Sequence, residues 1–399
     1  MIGTIVDVVR GEGAASALRR ANERMAEAAQ KAVMRVRGRF ARPPHTPLLN
    51  VACGGLLPRT GGVAIQLWTR LRAERALRSV AILHPSERRL LAPFTHEWRV
   101  AHDDFESAVR ESMWITGARA IHLEGTSGVP LQGLLRMMRA GIPVVISVHD
   151  FSLFCSRLYL AEELDPSEQA ERRTLAREIL ASAPGLIFPS QFLLDRHREL
   201  FSLPDLAAEV VEPAVDVAHR RILIDDERRG IAYAGSVKRH KGGQLLPAIA
   251  GALAACGRVL HIFGGGDYDL LRPLRDMPNV VVHGYYRHGT LPSLLAQHRI
   301  GLVVLPSIWP ESFCTAMSEA WLGGACVAAF DIGAPAERIR RDGGGYLAPI
   351  ESGAAGLNDI ITRWISGAIR CEQTPRGITS PDDAAGAHCD LYRRWGLLS

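Results

Sequence analysis

Pro306-Ser-Ile-Trp-Pro-Glu311-Ser-Phe-Cys-Thr-Ala-Met-Ser-Glu319-Ala320 brings together residue types that could hold a charged leaving group. The apolar run Ile300 to Leu305 precedes it and reads as a buried strand. A helix is expected to open within the string and to end near Gly323-Gly324. Glu311 would stand at the mouth of that helix and Glu319 about two turns along it. Eight residues at ~1.5 Å rise separate the two acids by roughly 12 Å. Between them the N–H groups of Ser312, Phe313, Cys314 and Thr315 would sit at a positive dipole end, which suits a phosphate. A carboxylate, a phosphate cradle and a second carboxylate match a nucleotide sugar, one acid for sugar hydroxyls and one for ribose hydroxyls. Either acid alone is equally well an acidic turn of an ordinary amphipathic helix; the argument rests on the whole string.

A second anion-binding stretch is Gly235-Ser236-Val-Lys238-Arg-His-Lys241-Gly242, which joins a strand to a helix and presents backbone N–H groups. The chain has only three lysines, Lys31, Lys238 and Lys241, among 47 lysines and arginines, and two of them fall in this loop. That points to a point charge for a diphosphate at Lys241, with Lys238 equally well a solvated charge. Gly61-Gly62 lies where an earlier strand hands over to its helix, so the backbone there could approach a ligand closely. His149-Asp150 follows the apolar strand Val144 to Val148 directly, and an imidazole at a strand's carboxyl end could donate to a sugar hydroxyl or carry protons. Gly264-Gly265-Gly266 lacks the G-x-G-x-x-G register, since position 269 is Asp. Asp267-Tyr-Asp269 has the form of a metal-holding D-x-D, but its setting after a glycine turn makes coincidence the better explanation.

The elements that must position these residues alternate. Strands are expected at 48–52, 79–83, 120–123, 144–148 and 185–188, with helices at 63–74, 131–140 and 168–181. After a charged junction at 211–230, strands at 231–234, 258–263, 280–282, 300–305 and 325–330 alternate with helices at 242–255, 290–297 and 335–340. This pattern argues for an α/β protein with two doubly wound, Rossmann-like domains facing across a cleft, ligands lying outside the strands' carboxyl ends. The division expected is a helical extension over 1–45, a first domain over 46–215, a second over 216–380, and a last helix in 381–399. Loops 84–112 and 151–165 would shape the acceptor side.

Residues 14–40 read as an amphipathic helix, with Leu18, Met25, Ala29, Val33, Val36 and Phe40 at helical spacing. Attachment to an anionic membrane through Arg35, Arg37 and Arg39 is one reading. Packing on the body of the protein is the other, favoured because the stripe is poor in large apolar residues.

Composition excludes several classes. At 399 residues, 47% hydrophobic and 22% charged, the chain is that of a soluble globular protein. No stretch of ~18 uncharged apolar residues is present, so no membrane-spanning helix is expected. The N-terminus lacks the apolar core of a signal peptide. Seven cysteines, scattered and without C-x-x-C, fit reduced thiols in the cytoplasm and argue against a disulfide framework or a zinc site. The net charge of +5 is mild and gives no reason to expect nucleic acid as a partner.

Taken together these residues resemble the family 4 glycosyltransferases, enzymes of the GT-B fold, over roughly residues 47–395. The most specific match is Pro306-Ser307-x-Trp309-Pro310-Glu311-Ser312-Phe313 with Glu319-Ala320, which is similar to the family's E-x7-E signature; Gly324, Val327, Gly333, Glu337 and Gly344-Gly345 continue it. Gly235 to Gly242 is similar to the family's loop ending in Lys-Gly, Pro213 to Asp216 to its interdomain linker, and Gly61-Gly62 and His149-Asp150 to first-domain motifs. The resemblance implies catalytic roles for His149 and Glu311. Glu311 would lie on donor-sugar hydroxyls, Glu319 on ribose, Lys241 on the diphosphate, His149 on distal sugar hydroxyls and Tyr285 near the base. It implies retention of configuration, no obligatory metal, and a last helix that crosses back to the first domain. Position 236, often arginine in the family, is serine here, Trp321 and Cys326 stand where Met and Pro are usual, and residues 1–45 have no counterpart in the pattern.

The expectation is a retaining transferase that moves a sugar from a nucleotide-diphosphate sugar to a hydroxyl of a carbohydrate, lipid-linked or small-molecule acceptor. Its setting would be polysaccharide, glycolipid or glycoconjugate biosynthesis. It would be cytoplasmic, with residues 14–40 as the one place for peripheral contact with the membrane's inner face. The alternatives are a nucleotide-sugar epimerase of the same fold and a non-catalytic partner subunit.

Overall fold

The structure, a computed structural model, describes residues 14–53, 62–93, 95–155, 166–215, 228–370, 375 and 377–399. Gly61, the linker residues from Asp216 to 227, and 156–165 of the expected acceptor loop lie outside the described residues. The chain divides into two units. One holds Val215–Ile378 with the chain up to Ala26; the other holds Glu27–Ala214 with Thr379–Ser399.

The N-terminal unit is built on an eight-stranded sheet. Its strands are β1 (Leu48–Val51), β2 (Ala81–His84), β3 (Arg89–Ala92), β4 (His96–Arg99), β5 (Ala120–Glu124), β6 (Val144–Ser147), β7 (Leu186–Phe188) and β8 (Ala208–Val210). Their order is β4-β3-β2-β1-β5-β6-β7-β8, parallel except where β2, β3 and β4 run antiparallel. β1 is fully buried, as befits a central parallel strand, and its one polar residue, Asn50, donates to the Ala81 carbonyl at 2.9 Å.

The sequence reading assigned 84–112 to loops, and there the structure corrects it. β3 and β4 occupy part of that stretch, with a helix over Phe105–Thr116. Arg89 and Glu97 are both buried and joined at 2.9 Å across the hairpin, so charge neutralisation replaces the expected alternation of apolar residues. The helix is capped by the Asp104 carboxylate, which accepts from the Ser107 amide at 2.9 Å, and it ends at Gly117 with φ 69°.

The C-terminal unit holds β9 (Gly230–Ala234), β10 (Leu260–Phe263), β11 (Val280–Gly284), β12 (Ile300–Leu305), β13 (Cys326–Phe330) and β14 (Gly345–Ala348). All pairings are parallel, in the order β11-β10-β9-β12-β13-β14. Helices cover both faces. Leu246, Leu253, Leu271, Leu357 and Trp364 pack on one side, and Leu291, Leu295, Met317, Trp321 and Ile339 on the other. The strand order reverses between β9 and β12. The loops leaving those two strands therefore part at their carboxyl ends, where open α/β sheets bind ligands.

The helix expected over 242–255 is shorter. Two 3-10 turns, Arg239–Lys241 and Gly243–Leu245, precede an α-helix over Leu246–Ala255. Gly242 at φ 73° breaks the first turn, and Pro247 fixes the start of the helix.

The N-terminal helix spans Ala14–Gly38, with an unexpected face turned inward. In the C-terminal unit, Ser16 accepts from the Tyr285 amide at 2.9 Å, and Arg19 donates to the carbonyls of His283 and Tyr285 at 2.9 and 3.2 Å. Arg20 lies 5.1 Å from the Tyr285 ring. In the N-terminal unit Met34 is buried, and Gly38 presses so closely on Glu97 that a Cβ would fall 2.0 Å from its carbonyl oxygen. The predicted stripe faces solvent instead, Leu18, Met25, Val33, Val36 and Phe40 being 49–88% exposed.

The last helix, Pro381–Arg394, opens with a capping box of Ser380 and Asp383 and packs on the helix Gly62–Glu74 of the N-terminal unit. A buried polar network fixes it. Arg70 donates to Glu74, to Glu124 and to the Tyr392 hydroxyl, and the His122 ring bridges Tyr392 and Ser147 at 2.6 and 2.8 Å.

Candidate functional site

Two loops meet at the switch point of the C-terminal sheet. One leaves β9 through Gly235 and ends at Lys241-Gly242; the other leaves β12 through Pro306 and ends at Cys314. They touch because Gly242 has no side chain. A Cβ there would stand 1.8 Å from the Pro306 carbonyl oxygen, and its φ of 73° is one that L residues rarely adopt. That contact delivers the Lys241 ammonium to the Glu311 carboxylate, at 2.8 Å.

Glu311 is little exposed, at 12% of its side chain, and its surroundings favour the ionised form. Burial alone would raise its pKa. The Lys241 charge and hydrogen bond, with hydrogen bonds from Cys314 and Ser307, outweigh burial and hold the carboxyl below the usual range. Burial, and then the Glu311 charge, push the Cys314 thiol up to about 12, so it stays protonated and able to donate. Tyr233, under the loop, is likewise kept a phenol by burial and by Glu311, and donates to the Ser236 carbonyl at 2.7 Å.

The helix begins later than the sequence suggested. It spans Thr315–Leu322, so Ser312 and Phe313 precede it, and Cys314 at φ 74° is its N-cap without a side-chain capping bond. The physical reason lies in Gly333, whose neighbour Ala334 donates to the Glu311 carbonyl at 2.9 Å. A Cβ on Gly333 would meet the Pro310–Glu311 backbone at 2.8 Å. Held that way, residues 311–314 form a loop, and the first turn belongs to Thr315, Ala316 and Met317, with the Met317 amide already donating to the Cys314 carbonyl at 3.1 Å. Arg338, buried, clamps this turn: it stacks 4.0 Å from the Phe313 ring and 4.9 Å from Trp321, and donates to Ser318 at 2.8 Å.

Glu319 is buried at 1% side-chain exposure. It accepts from the Gly289 amide at 2.7 Å, and His288 lies 3.5 Å from its other oxygen. Its carboxylate thus secures the loop after β11, which also carries Tyr285. Ser236 is exposed. Arg239, three residues on from that serine, pairs with Asp269 at 2.9 Å, which gives one acid of the D-x-D sequence a partner.

In the N-terminal unit, Gly62 is the exposed first residue of its helix. His149 lines a separate pocket with Gln66, Arg70, Glu124, Ser147 and His388. Gly125, at φ 92°, adopts a backbone conformation that favours glycine and brings the chain against the His149 ring. Burial outweighs the pull of Asp150 and, with a smaller push from the Arg70 charge, brings His149 down to about 4, so the ring is neutral at pH 7. Burial pushes the Glu124 carboxyl up to about 7 despite Arg70.

Sequence reasoning missed Ser307, Tyr233, Arg338 and His288. Ser307 stood inside the quoted motif and was legible there. The others act through tertiary contacts that no local pattern displays.

Residues 228–366 match the family model described as glycosyl transferases group 1. Among curated proteins none matches the sequence. Sucrose-phosphate synthase from Thermosynechococcus elongatus is similar in structure at TM-score 0.67 and 15% identity, over 88% of this chain and 99% of its own. A glycosyltransferase from Rickettsia africae aligns at TM-score 0.63 and 12% identity, over 88% and 98%. HepE from Anabaena, solved with UDP and glucose, aligns at 0.59 and 16%, over 88% and 100%. These likenesses establish the GT-B fold, two Rossmann-like α/β domains.

Proposed function

We propose that this chain is a glycosyltransferase of group 1 that moves a sugar from a nucleoside-diphosphate donor to an acceptor hydroxyl with retention of configuration. The observation that carries this reading is the Lys241–Glu311 pair at the switch point of the C-terminal sheet, beside the helix start at Thr315. As the bond to the sugar breaks, the departing diphosphate gathers negative charge. Lys241, a third exposed, and the helix start at Thr315 would stabilise it. A diphosphate that draws Lys241 towards itself would free the Glu311 carboxylate to accept from sugar hydroxyls.

We assign the loop from Tyr285 to Gly289, held by Glu319, to the nucleoside, and the neutral His149 ring to a sugar hydroxyl. No step is assigned to a metal. HepE is solved with UDP and with UDP-glucose, so uridine-diphosphate sugars are the first donors to try.

The test is release of nucleoside diphosphate from a panel of nucleotide sugars in the presence of simple glycoside acceptors. The wild type should release it with retention in the product, and Glu311→Ala should be slower by about 10²–10³. Equal rates in the two proteins would remove the assignment, and an isomerised free donor formed without acceptor would identify an epimerase.

The N-terminal helix supports a further part of the reading, contact with an anionic membrane surface. No helix among the described residues is long and apolar enough to cross a membrane. The helix instead turns Leu18, Met25, Val33, Val36 and Phe40 to solvent, with Arg35, Arg37 and Arg39 at its end. An apolar stripe beside clustered arginines suits the interface of an acidic bilayer.

A further inference from the structure

We propose that His261, His283 and His298 form a three-imidazole site for a divalent transition-metal ion of the zinc type. One ligand nitrogen from each ring lies within 4.8 Å of the other two, and all three side chains are half-buried. Among the described residues this is the one such cluster of potential metal ligands. It contains neither Lys241 nor Glu311, and the transfer reaction has no use for it.

Three elements converge to make it. His261 lies on β10. His283 lies on the edge strand β11, where the register shifts: Ile262 pairs with Val282 but Phe263 with Gly284, so His283 falls outside the ladder. Such irregularities re-aim side chains. His298 caps the carboxyl end of the helix Leu291–Gln297, which packs against the same sheet face as Phe263. The Phe263 ring backs His283 at 4.3 Å with planes 7° apart and fixes its orientation. His298 closes the group, its ring centroid 4.4 Å from that of His283 and 5.3 Å from that of His261.

The chemistry of the donor set selects the ion. Three neutral imidazoles without a carboxylate suit zinc and its neighbours, whereas magnesium and calcium need oxygen ligands. His261 Nδ1 and His283 Nε2 are 2.9 Å apart, a hydrogen bond with one shared proton. Two nitrogens on a tetrahedral zinc at ~2.0–2.1 Å would be about 3.3 Å apart, so the rings need open by only a few tenths of an ångström. The ion would take the place of the proton between them, and the donor ring stays neutral by carrying that proton on its other nitrogen, with no net proton released. A tetrahedral ion would complete its shell with water. Such an ion would tie the exposed edge of the sheet to the helix before β12, next to the carbonyl of His283 that Arg19 already holds.

The test uses full-length protein without an affinity tag, loaded with Zn²⁺ and then desalted. The wild type should retain one equivalent of zinc, show a raised melting temperature, and give the intense visible bands of tetrahedral Co²⁺ when cobalt is used instead. His298→Gln and His261→Gln should each lose the retained ion and the bands, while the exposed control His102→Gln keeps both. A second readout needs no variant. In wild-type protein with ¹⁵N-labelled histidine, zinc should shift the resonances of three of the 14 imidazoles. Failure of the wild type to retain zinc, retention by His298→Gln, or fewer than three shifted imidazoles would overturn the proposal.

Discussion

Replacing Lys241 by methionine should expose how far Glu311 depends on it. The substitution keeps the length of the side chain and removes the charge. Exposed ion pairs contribute 0–1 kcal/mol, and breaking a fully buried pair costs about 3–5 kcal/mol. Glu311 is 12% and Lys241 32% exposed, so this pair falls between, and we expect a loss of about 2 kcal/mol at pH 7.5. The penalty must depend on pH in a definite sense. In the wild type the Glu311 pKa is depressed, so its contribution to stability is present above the unfolded value of 4.5 and is lost as pH falls through the folded value. In Lys241→Met only the Cys314 and Ser307 hydrogen bonds still oppose burial, so the depression shrinks and with it the stability that the ionised carboxylate supplies. The difference between the two proteins should therefore be largest near neutrality and shrink below pH 4.5. Urea melts at pH 7.5, 5.5 and 4.0 measure this directly. Glu311→Gln should recover most of the loss when added to Lys241→Met, with a coupling of about 1–2 kcal/mol. A penalty that is flat with pH, and equal in the Glu311→Gln background, would refute the ion pair as the organiser of the site.

Gly242→Ala places a Cβ against the Pro306 carbonyl and demands a left-handed conformation, so a loss of about 2–4 kcal/mol is expected in thermal melts. A melting point unchanged from wild type would contradict the loop contact. Arg70→Met leaves Glu74 and Glu124 buried without their shared cation and should cost about 3–5 kcal/mol in urea melts. A change below about 1 kcal/mol would mean that the network does not anchor the last helix. Phe40→Asp should weaken sedimentation with phosphatidylglycerol vesicles and leave binding to neutral phosphatidylcholine low, while nucleotide binding is untouched. Equal sedimentation with both lipids, or none, would remove the membrane contact.

What the sequence disclosed depended on whether a signal was local. β12 and the loop after it were legible because an unbroken apolar run, a fixed spacing of acids and a glycine end all lie within some twenty-five residues. The C-terminal alternation of strands and helices was legible for the same reason. The β3–β4 hairpin was not, since its strands are four residues long and its inward positions include Arg89 and Glu97, which are buried by pairing with each other and with Glu87 and Arg35. The helix Phe105–Thr116 carried its own markers, Asp104 and Gly117, but its buried face includes Ser112 and Thr116 and does not stand out by hydrophobicity. The orientation of the N-terminal helix was hidden because Ser16, Arg19 and Gly38 attach it by hydrogen bonds and close approach, so its apolar stripe was free to face outward. At the site, Glu311 and Lys241 could be named as candidates, yet their pairing rests on Gly242 and Gly333 in contact with distant backbone. The burial of Glu319 under Gly289 and His288 likewise belongs to the tertiary fold.

Calorimetric titration of the wild type and Lys241→Ala with uridine, guanosine and adenosine diphosphates bears most directly on the site. One of the three should bind the wild type at a single site. The same nucleotide should bind Lys241→Ala about ten- to a hundredfold more weakly, the loss expected for a charge-assisted contact of about 1.5–3 kcal/mol. Equal affinity in the two proteins, or no binding of any diphosphate to the wild type, would contradict a nucleoside diphosphate held at the Lys241–Glu311 switch point.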